Sequence, residues 1–596
     1  MARSGFSNLS EGTLNNTNKS ISHNLAISNI SKPASIALWS PTSLRNIFII
    51  LSLCPSYKMK KQIEVEYSIN RLLSSILLSI LVIGNISNIP SQLHSQTTNN
   101  PTLSINEGVS SGDVTYKSAM IWARVNNQSI MHIKYDNNSA FLHPNSTLKR
   151  VDNTTDFAGK IKVDNLNPNT KYFYKVWFSS MDNRTNSSAI VGSFRTAPNP
   201  NSSGNSISFI LGADIGGQKF CREVKDGYLI FEKMKSLLPD FYIHNGDMIY
   251  AINDCPKERP DGGQNIPGNF SGIADSKVDW KNQIQVHDIY LKHWAYNRGD
   301  PHLQGFLGNT SMYIQWDDHE VINDFGSQWT YWNSQNKNRA GYENLVQAGR
   351  ETFFNFSPIE RNQHDPDRIY RLFHWGKDMD LLILDARSYR SRNDLPDTEQ
   401  NNKTLLGGDQ LSWLKESLTN SNATWKIISS DVPMSIPTGA NASKFGRDGW
   451  ADGTDTDFSS RTGFERELRD LMKFIDDHNI NDVVFVTTDA HFPAILKYNA
   501  DVNGDGDPIN VYEIVCGPLS AIRFGIPGIP LPKFDPTFQP TTLYVEGGIY
   551  NFGYFKIHKG MDGLMHLTAS IIGEDGLPRP NSHIDLIPHQ NINQSK

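Results

Sequence analysis

The sequence predicts two unlike parts in one chain, an all-β module over residues 102–198 followed by an α/β domain over 206–575. Three observations carry this. The chain has 596 residues, too many for one ordinary domain of about 100 to 200 residues. Between 102 and 198 the apolar residues fall in short alternating runs divided by Asn, Gly and Pro: Ala119-Met-Ile-Trp-Ala-Arg124, Met131-His-Ile-Lys-Tyr135, Gly159-Lys-Ile-Lys-Val163 and Tyr172-Phe-Tyr-Lys-Val-Trp177. That is the spacing of a β-sandwich. Beyond a polar linker at 196–206, apolar runs suited to buried strands (207–213, 241–244, 312–316, 381–384, 425–429 and 483–487) alternate with helical patterns at 228–238, 285–296, 410–418 and 464–478.

Composition narrows the class. Lys and Arg number 56 against 62 Asp and Glu, and this formal net charge of −6, with no basic excess, argues against a nucleic-acid-binding partner. With 38% hydrophobic and 20% charged residues the chain has ample material for a core. The four cysteines, Cys54, Cys221, Cys255 and Cys516, are too few for a disulfide scaffold and form no CxxC pair. Cys221 and Cys255 each follow a strand-like run by a few residues, which leaves open one bridge between neighbouring loops or two free thiols. Residues 1–100 read as an Asn- and Ser-rich targeting leader. Its apolar segment 72–84 is shorter than the roughly 20 residues of a membrane span and has the texture of a secretory signal, with Met59-Lys60-Lys61 ahead of it. Export is expected, with this segment either cleaved or kept as a membrane anchor. Residues 576–596 read as a C-terminal tail. In the β module, Leu166-Asn-Pro-Asn-Thr-Lys-Tyr172 resembles the corner of a fibronectin type III or immunoglobulin-like domain, where a Tyr hydroxyl pins the turn to upstream backbone.

In an open α/β sheet, ligands collect beyond the carboxyl ends of the strands. Four of the predicted strands end in Asp214-Ile-Gly216, in Asn245-Gly246-Asp247-Met-Ile-Tyr250, in Asp317-Asp318-His319-Glu320 and in Thr488-Asp489-Ala490-His491. One acidic strand end is an ordinary turn or helix cap. Four at one edge gather carboxylates that repel each other unless a cation compensates. Oxygen ligands with one or two imidazoles suit hard or borderline divalent and trivalent ions, and Tyr250 as a phenolate favours ferric iron.

These strand ends resemble the ordered metal motifs of the calcineurin-like metallophosphatases. Trp316-Asp-Asp-His-Glu-Val-Ile-Asn-Asp324, Leu384-Asp-Ala-Arg-Ser-Tyr-Arg390 and Gly407-Gly-Asp-Gln-Leu-Ser-Trp-Leu414 are similar to the alkaline phosphatase D-like branch, and Gly108-Val-Ser-Ser-Gly112 with Ile121-Trp122 is similar to the opening of the β-sandwich that precedes its catalytic domain. The resemblance implies a two-sheet αββα sandwich behind a fibronectin III-like domain, a binuclear metal centre and hydrolysis of phosphate esters by metal-bound hydroxide. Iron and calcium are the favoured ions, with manganese or zinc also suited. At the end of the first catalytic strand, where that branch commonly carries Cys, this chain has Asp214, as purple acid phosphatases do, with Cys221 as a second candidate.

The roles follow from the resemblance. Asp247 bridges the metals; Tyr250, Asp214 and Asp489 complete the first shell; Asp318 and His491 hold the second metal, with Asn323 joining from the same loop. His319 is the general acid, or else itself a ligand. Arg222, Arg387 and Arg390 are the cations available to bind substrate phosphate. Apart from these, Asp501, Asn503, Asp505 and Asp507 alternate like the opening of a calcium loop, although position twelve is Tyr512; the other reading is a hairpin turn between 494–498 and 511–515. Two insertions, 253–281 and 435–462, are placed to wall the pocket. Two alternatives stay open: a phospholipase D-like phosphodiesterase acting on lipid or polymer phosphodiesters, and an inactive surface-binding protein.

Overall fold

The computed structural model describes residues 102–326, 340–439, 446–453, 463–499 and 501–589. The leader, with its apolar segment 72–84, and the end of the tail lie outside the described residues. Among the described residues no helix is long and apolar enough to cross a membrane.

Seven strands form before the linker: β1 (Val109–Gly112), β2 (Ala119–Arg124), β3 (Ser129–Asp136), β4 (Asn145–Val151), β5 (Ala158–Val163), β6 (Lys171–Ser179) and β7 (Ile190–Arg195). Alternation sets their faces: β6 buries Tyr172, Tyr174, Val176 and Phe178 and turns Lys171, Phe173, Lys175 and Trp177 outward. The corner motif closes as expected, with the Asn167 amide donating to the Tyr172 hydroxyl at 2.9 Å. The four-stranded antiparallel sheet runs β4-β3-β6-β7. Strands β1, β2 and β5 do not stand as a separate sheet, because β1 pairs in parallel with a strand of the α/β part through Gly112 and Met312. This contact covers an edge whose amides and carbonyls would otherwise be bare.

After the linker come β8 (Ile207–Gly212), β9 (Phe241–Asn245), β10 (Ser311–Gln315), β11 (Arg371–Trp375), β12 (Met379–Ile383), β13 (Trp425–Ser430), β14 (Val483–Thr487), β15 (Ala494–Tyr498), β16 (Val511–Val515), β17 (Thr541–Val545), β18 (Asn551–Lys559), β19 (Met565–Gly573) and β20 (Ile584–Leu586). They make a nine-stranded sheet, β20-β19-β18-β8-β9-β10-β1-β2-β5, and a seven-stranded sheet, β11-β12-β13-β14-β16-β15-β17. The central strands β8, β9 and β10 are parallel, as are β12, β13, β14 and β16, so each sheet brings several carboxyl ends to one edge.

Near-continuous apolar strands require cover on both faces. Phe209, Leu211, Phe241 and Ile243 of the first sheet share one core with Leu381, Ile427, Val484 and Ile514 of the second. The opposite face of the first sheet, through Ile210, Tyr242 and Ile314, packs on helices α1 (Ile230–Ser236), α2 (Gln283–Arg298), α3 (Pro301–Leu307) and α4 (Tyr342–Phe356). The outer face of the second, through Leu382, Ile428 and Phe485, packs on α5 (Gly408–Asn420) and α6 (Glu465–Asp477). Polar side chains stitch the two sheets just below their common edge: Asn245 Nδ2 donates to the carbonyls of Ser430 (2.9 Å) and Val486 (3.0 Å), and Thr488 Oγ1 to those of Asn245 (3.1 Å) and Asp431 (3.2 Å).

Candidate metal centre

The chain turns sharply as each strand leaves the sheet. Asp214, Asp247, Asp489 and His491 all have φ between 53° and 64°, and Asp324 has φ 57°. Non-glycine residues rarely adopt this region and hold it where the surroundings over-determine it. Glycine assists at one position: Gly246 has φ 90°, and a Cβ there would lie 2.4 Å from Asp317 Cβ. The Glu320 carboxylate then ties two strand ends together by accepting from the amides of Asp247 (3.0 Å), Met248 (2.6 Å) and Asp317 (2.8 Å).

Among the described residues ligand-type atoms converge in four buried sets, each within 4.8 Å of one another, and three of them draw on these strand ends: Asp214, Asp247 and His491; Asp247, Asp318 and His319; Asp318, Asp324 and Asp448. Asp247 and Asp318 each belong to two of the three, and Asp247 is the one that links the set of Asp214 to that of Asp318. Tyr250 joins the first, its hydroxyl 3.4 Å from Asp214 Oδ1 and 3.2 Å from His491 Nε2. His491 therefore sits beside Asp214 and Tyr250, which corrects its expected pairing with Asp318. Its Nδ1 donates to the Ile522 carbonyl at 2.5 Å, which leaves the Nε2 lone pair facing the carboxylates. Asp489 is half-buried and enters none of the three sets. Asn323 is half-buried, and the residue after it, Asp324, brings a carboxylate into the third set. His319 stacks on Tyr250 with ring centroids 4.0 Å apart, and its Nε2 lies 3.8 Å from Asp318 Oδ1.

The donors fit a cation. Buried oxygens of Asp214 (Oδ2), Asp247 (Oδ2), Asp318 (Oδ1) and Asp489 (Oδ2) have no hydrogen-bond partner, nor does His319 Nδ1. Orphaned polar atoms of this kind are rare in protein interiors. The electrostatics agree. Burial first, and then the neighbouring Asp318, push Asp214 up to about 8, and burial with the surrounding carboxylates raises Asp247 and Asp489 well above the usual range. Burial also lifts the Tyr250 phenol, reinforced by Asp247 and Asp214, while it lowers His319 and brings His491 down to about 4. A cation in this cluster would reverse each of the acidic shifts.

The expected phosphate-binding arginines have other partners. Arg222 pairs with Asp300 at 3.3 Å, the residue that caps α3, and donates to the Tyr296 carbonyl. Arg387 is fully buried among Asp317, Asp431 and Asp448, and Arg390 pairs with Asp448 at 2.8 Å. Burial would raise Asp448, but these two guanidiniums outweigh it and hold the acid below its ordinary value. Cys221 and Cys255 form a disulfide, so Cys221 is not a thiolate ligand. At the candidate calcium loop, Asp501 accepts from the amides of Gly504, Asp505 and Gly506, Asp505 from that of Asp507, and among the described residues no three acids of this exposed loop converge. It is the turn joining the antiparallel pair β15 and β16.

Two contributors escaped the sequence reading. Asp324 stood inside the recognised string but one residue beyond the one chosen, and only its left-handed turn brings it inward. Asp448, in the insertion after β13, carried no motif at all.

Comparison with known proteins agrees with this geometry. The model of the PhoD-like phosphatase family matches residues 212–561, and that of the PhoD-like phosphatase N-terminal domain matches 91–198. The chain is 24% identical over 345 residues to alkaline phosphatase D of Bacillus subtilis (strain 168), an alignment spanning 56% of this chain and about half (52%) of that relative. A solved PhoD structure superposes with a TM-score of 0.60 at 18% identity, covering 83% of this chain and 94% of the other. A purple acid phosphatase from yellow lupin (Lupinus luteus) seeds gives 0.49 at 11% identity, covering 80% and 73%. With more than half of its length matched by the family model, and carboxylates and imidazoles converging at the matched strand ends, the chain belongs to the PhoD-like phosphatase family.

Proposed function

We propose that the chain hydrolyses phosphate esters in a metal-dependent reaction. The observation that carries this reading is the set of buried, unpartnered oxygens on Asp214, Asp247 and Asp318 at the edge shared by two sheets. Asp214, Tyr250 and His491 would hold one cation, Asp318 with Asp324 and Asp448 a second, and Asp247 would bridge them; Asn323 and Asp489 stand close enough in sequence to complete the shells. Bound cations would supply an activated water and offset the charge developing on phosphorus. Iron and calcium are the ions we favour, with manganese or zinc compatible with the same oxygen and imidazole donors.

The protein's own groups supply orientation and the proton. Tyr250 stacks on one face of the His319 ring and fixes its plane. Burial lowers His319, and the neighbouring Asp318 opposes this by favouring the imidazolium; once protonated, His319 would give its proton from Nε2 to the leaving alkoxide. We further read 102–198 as a fibronectin III-like module, supported by its tyrosine corner, ahead of an αββα sandwich. The Cys221–Cys255 bridge supports an extracytoplasmic location, because such bridges persist in oxidising compartments.

Purified protein assayed on p-nitrophenyl phosphate and bis-p-nitrophenyl phosphate, with metal content measured in parallel, tests the reading. Hydrolysis of either that is lost on chelation and restored by metal is expected. A preference for the diester would favour the phospholipase D-like alternative, and no turnover by fully metal-loaded protein would leave the surface-binding one.

A further inference from the structure

Of the buried arginines, Arg387 faces the largest number of acids beside the metal centre. Arg387 lies just beyond β12, has no exposed surface, and is surrounded by three carboxylates from three separate segments. It pairs with Asp317 at the end of β10, with Asp431 at the end of β13 (3.3 Å) and with Asp448 (2.6 Å), and it also donates to the Phe325 carbonyl at 3.3 Å. Three of these partners are one step from the centre: Asp317 precedes Asp318, Phe325 follows Asp324, and Asp448 itself stands within 4.8 Å of both acids.

Asp448 is held on both oxygens. Arg387 Nη1 donates to Oδ2, while Arg390 Nη1 and Asn393 Nδ2 donate to Oδ1, each at 2.8 Å. A carboxylate oxygen carries two lone pairs, so the single hydrogen bond on Oδ2 leaves that oxygen able to ligate, whereas Oδ1 accepts two. The loop carrying Asp448 is seated independently: Gly446 lies so close to the Asn393 carbonyl that a Cβ would come within 1.9 Å of that oxygen, and the Asp448 amide donates to the Thr438 carbonyl.

We propose that Arg387 is the positioning residue of the second metal subsite, a built-in cation that docks Asp448 and fixes Asp317 so that Asp318, Asp324 and Asp448 face one ion. This rests on the metal-dependent reading above. The guanidinium does the work a loop motif does elsewhere in the site. It is planar and permanently charged, and it can satisfy three acids at once, which a lysine or a hydrated ion could not do from this position. Losing an outer-shell partner of this kind typically weakens metal binding by about 10- to 100-fold.

The test is manganese(II) binding to chelated full-length protein, followed by equilibrium titration and by the count of bound ions. Wild type is expected to take two ions. Arg387→Met and Asp448→Asn should each weaken one of them by about 10- to 100-fold and spare the other, with no further loss in the double variant; Arg387→Lys should recover part of the affinity. Two ions bound at wild-type affinity by Arg387→Met would overturn the proposal, as would equal weakening of both. Should Arg387→Met fail to fold, Asp448→Asn decides alone: unaltered binding of both ions overturns the assignment. Wild type that binds no manganese would instead refute the metal-dependent reading.

Discussion

The two halves of the centre are built in different ways. Asp214, Asp247, Tyr250 and His491 come from loops that leave strands of both sheets, and main chain holds these loops: the Ile215 amide donates to the Asp247 carbonyl at 2.8 Å, and the amides of Gly216 and Gly217 donate to the Ser520 carbonyl. The Cys221–Cys255 disulfide ties the segment after Asp214 to the one after Tyr250. The second half takes Asp318 from one strand end, Asp324 from the turn beyond it and Asp448 from a distant loop, and side-chain cations hold Asp448. Backbone can position ligands only where strands already deliver them. A ligand brought from elsewhere needs a buried countercharge, because an unpaired carboxylate there would be costly.

The largest effect should come from the residue common to both halves. Asp247→Asn removes the charge of the bridge, so both ions and all measurable hydrolysis should be lost together. Elemental analysis that still found two ions per chain would remove Asp247 from the bridge. Next in size is His319→Ala, expected to lower turnover by about 10² to 10⁴-fold, the usual worth of a positioned acid, with metal content unchanged. Loss of an ion from that variant would make His319 a ligand of the set it shares with Asp247 and Asp318.

The halves should also respond to pH with opposite sign once metal is removed. Asp214 is raised from 3.8 to about 8 in the folded protein, chiefly by burial and then by Asp318, so the folded state binds its proton more tightly than the unfolded chain. Metal-free protein should therefore lose stability as pH rises from about 4 to about 8. Asp448, held below 3.8 by Arg387 and Arg390 against its burial, contributes stability at neutral pH that is lost as pH falls through its folded value. Thermal melts of chelated protein across this range should show a midpoint falling with pH in wild type and a flatter profile in Asp214→Asn. Asp448→Asn should keep the slope and melt lower at neutral pH. Equal slopes in wild type and Asp214→Asn would contradict the assignment.

The smallest effect is spectroscopic. If iron occupies the first half, Tyr250→Phe should weaken a visible charge-transfer band, whereas Cys221→Ser should leave it in place because Cys221 is tied to Cys255. A band insensitive to Tyr250 would remove the phenolate from the shell.

Much of the fold and the first half of the site were legible in the residues themselves. Short apolar runs ending in Asp214, Asp247, Asp318 and Asp489 identify buried parallel strands, since both faces of such strands are covered and acids are tolerated only at their ends. The sequence reading placed helical patterns over α1, α2, α5 and α6, whereas α4 and the hairpin β18–β19, far from any motif, went unread. The sequence by itself determined the family and the chain order of the acidic motifs. Only the tertiary structure decided that His491 faces Asp214, that Asp324 and Asp448 join Asp318, and that Arg387 and Arg222 are committed to carboxylates. The reason is physical: a strand end fixes where backbone goes, but the partner of a buried charge is chosen by whichever opposite charge packing brings within reach, and no local spacing encodes that.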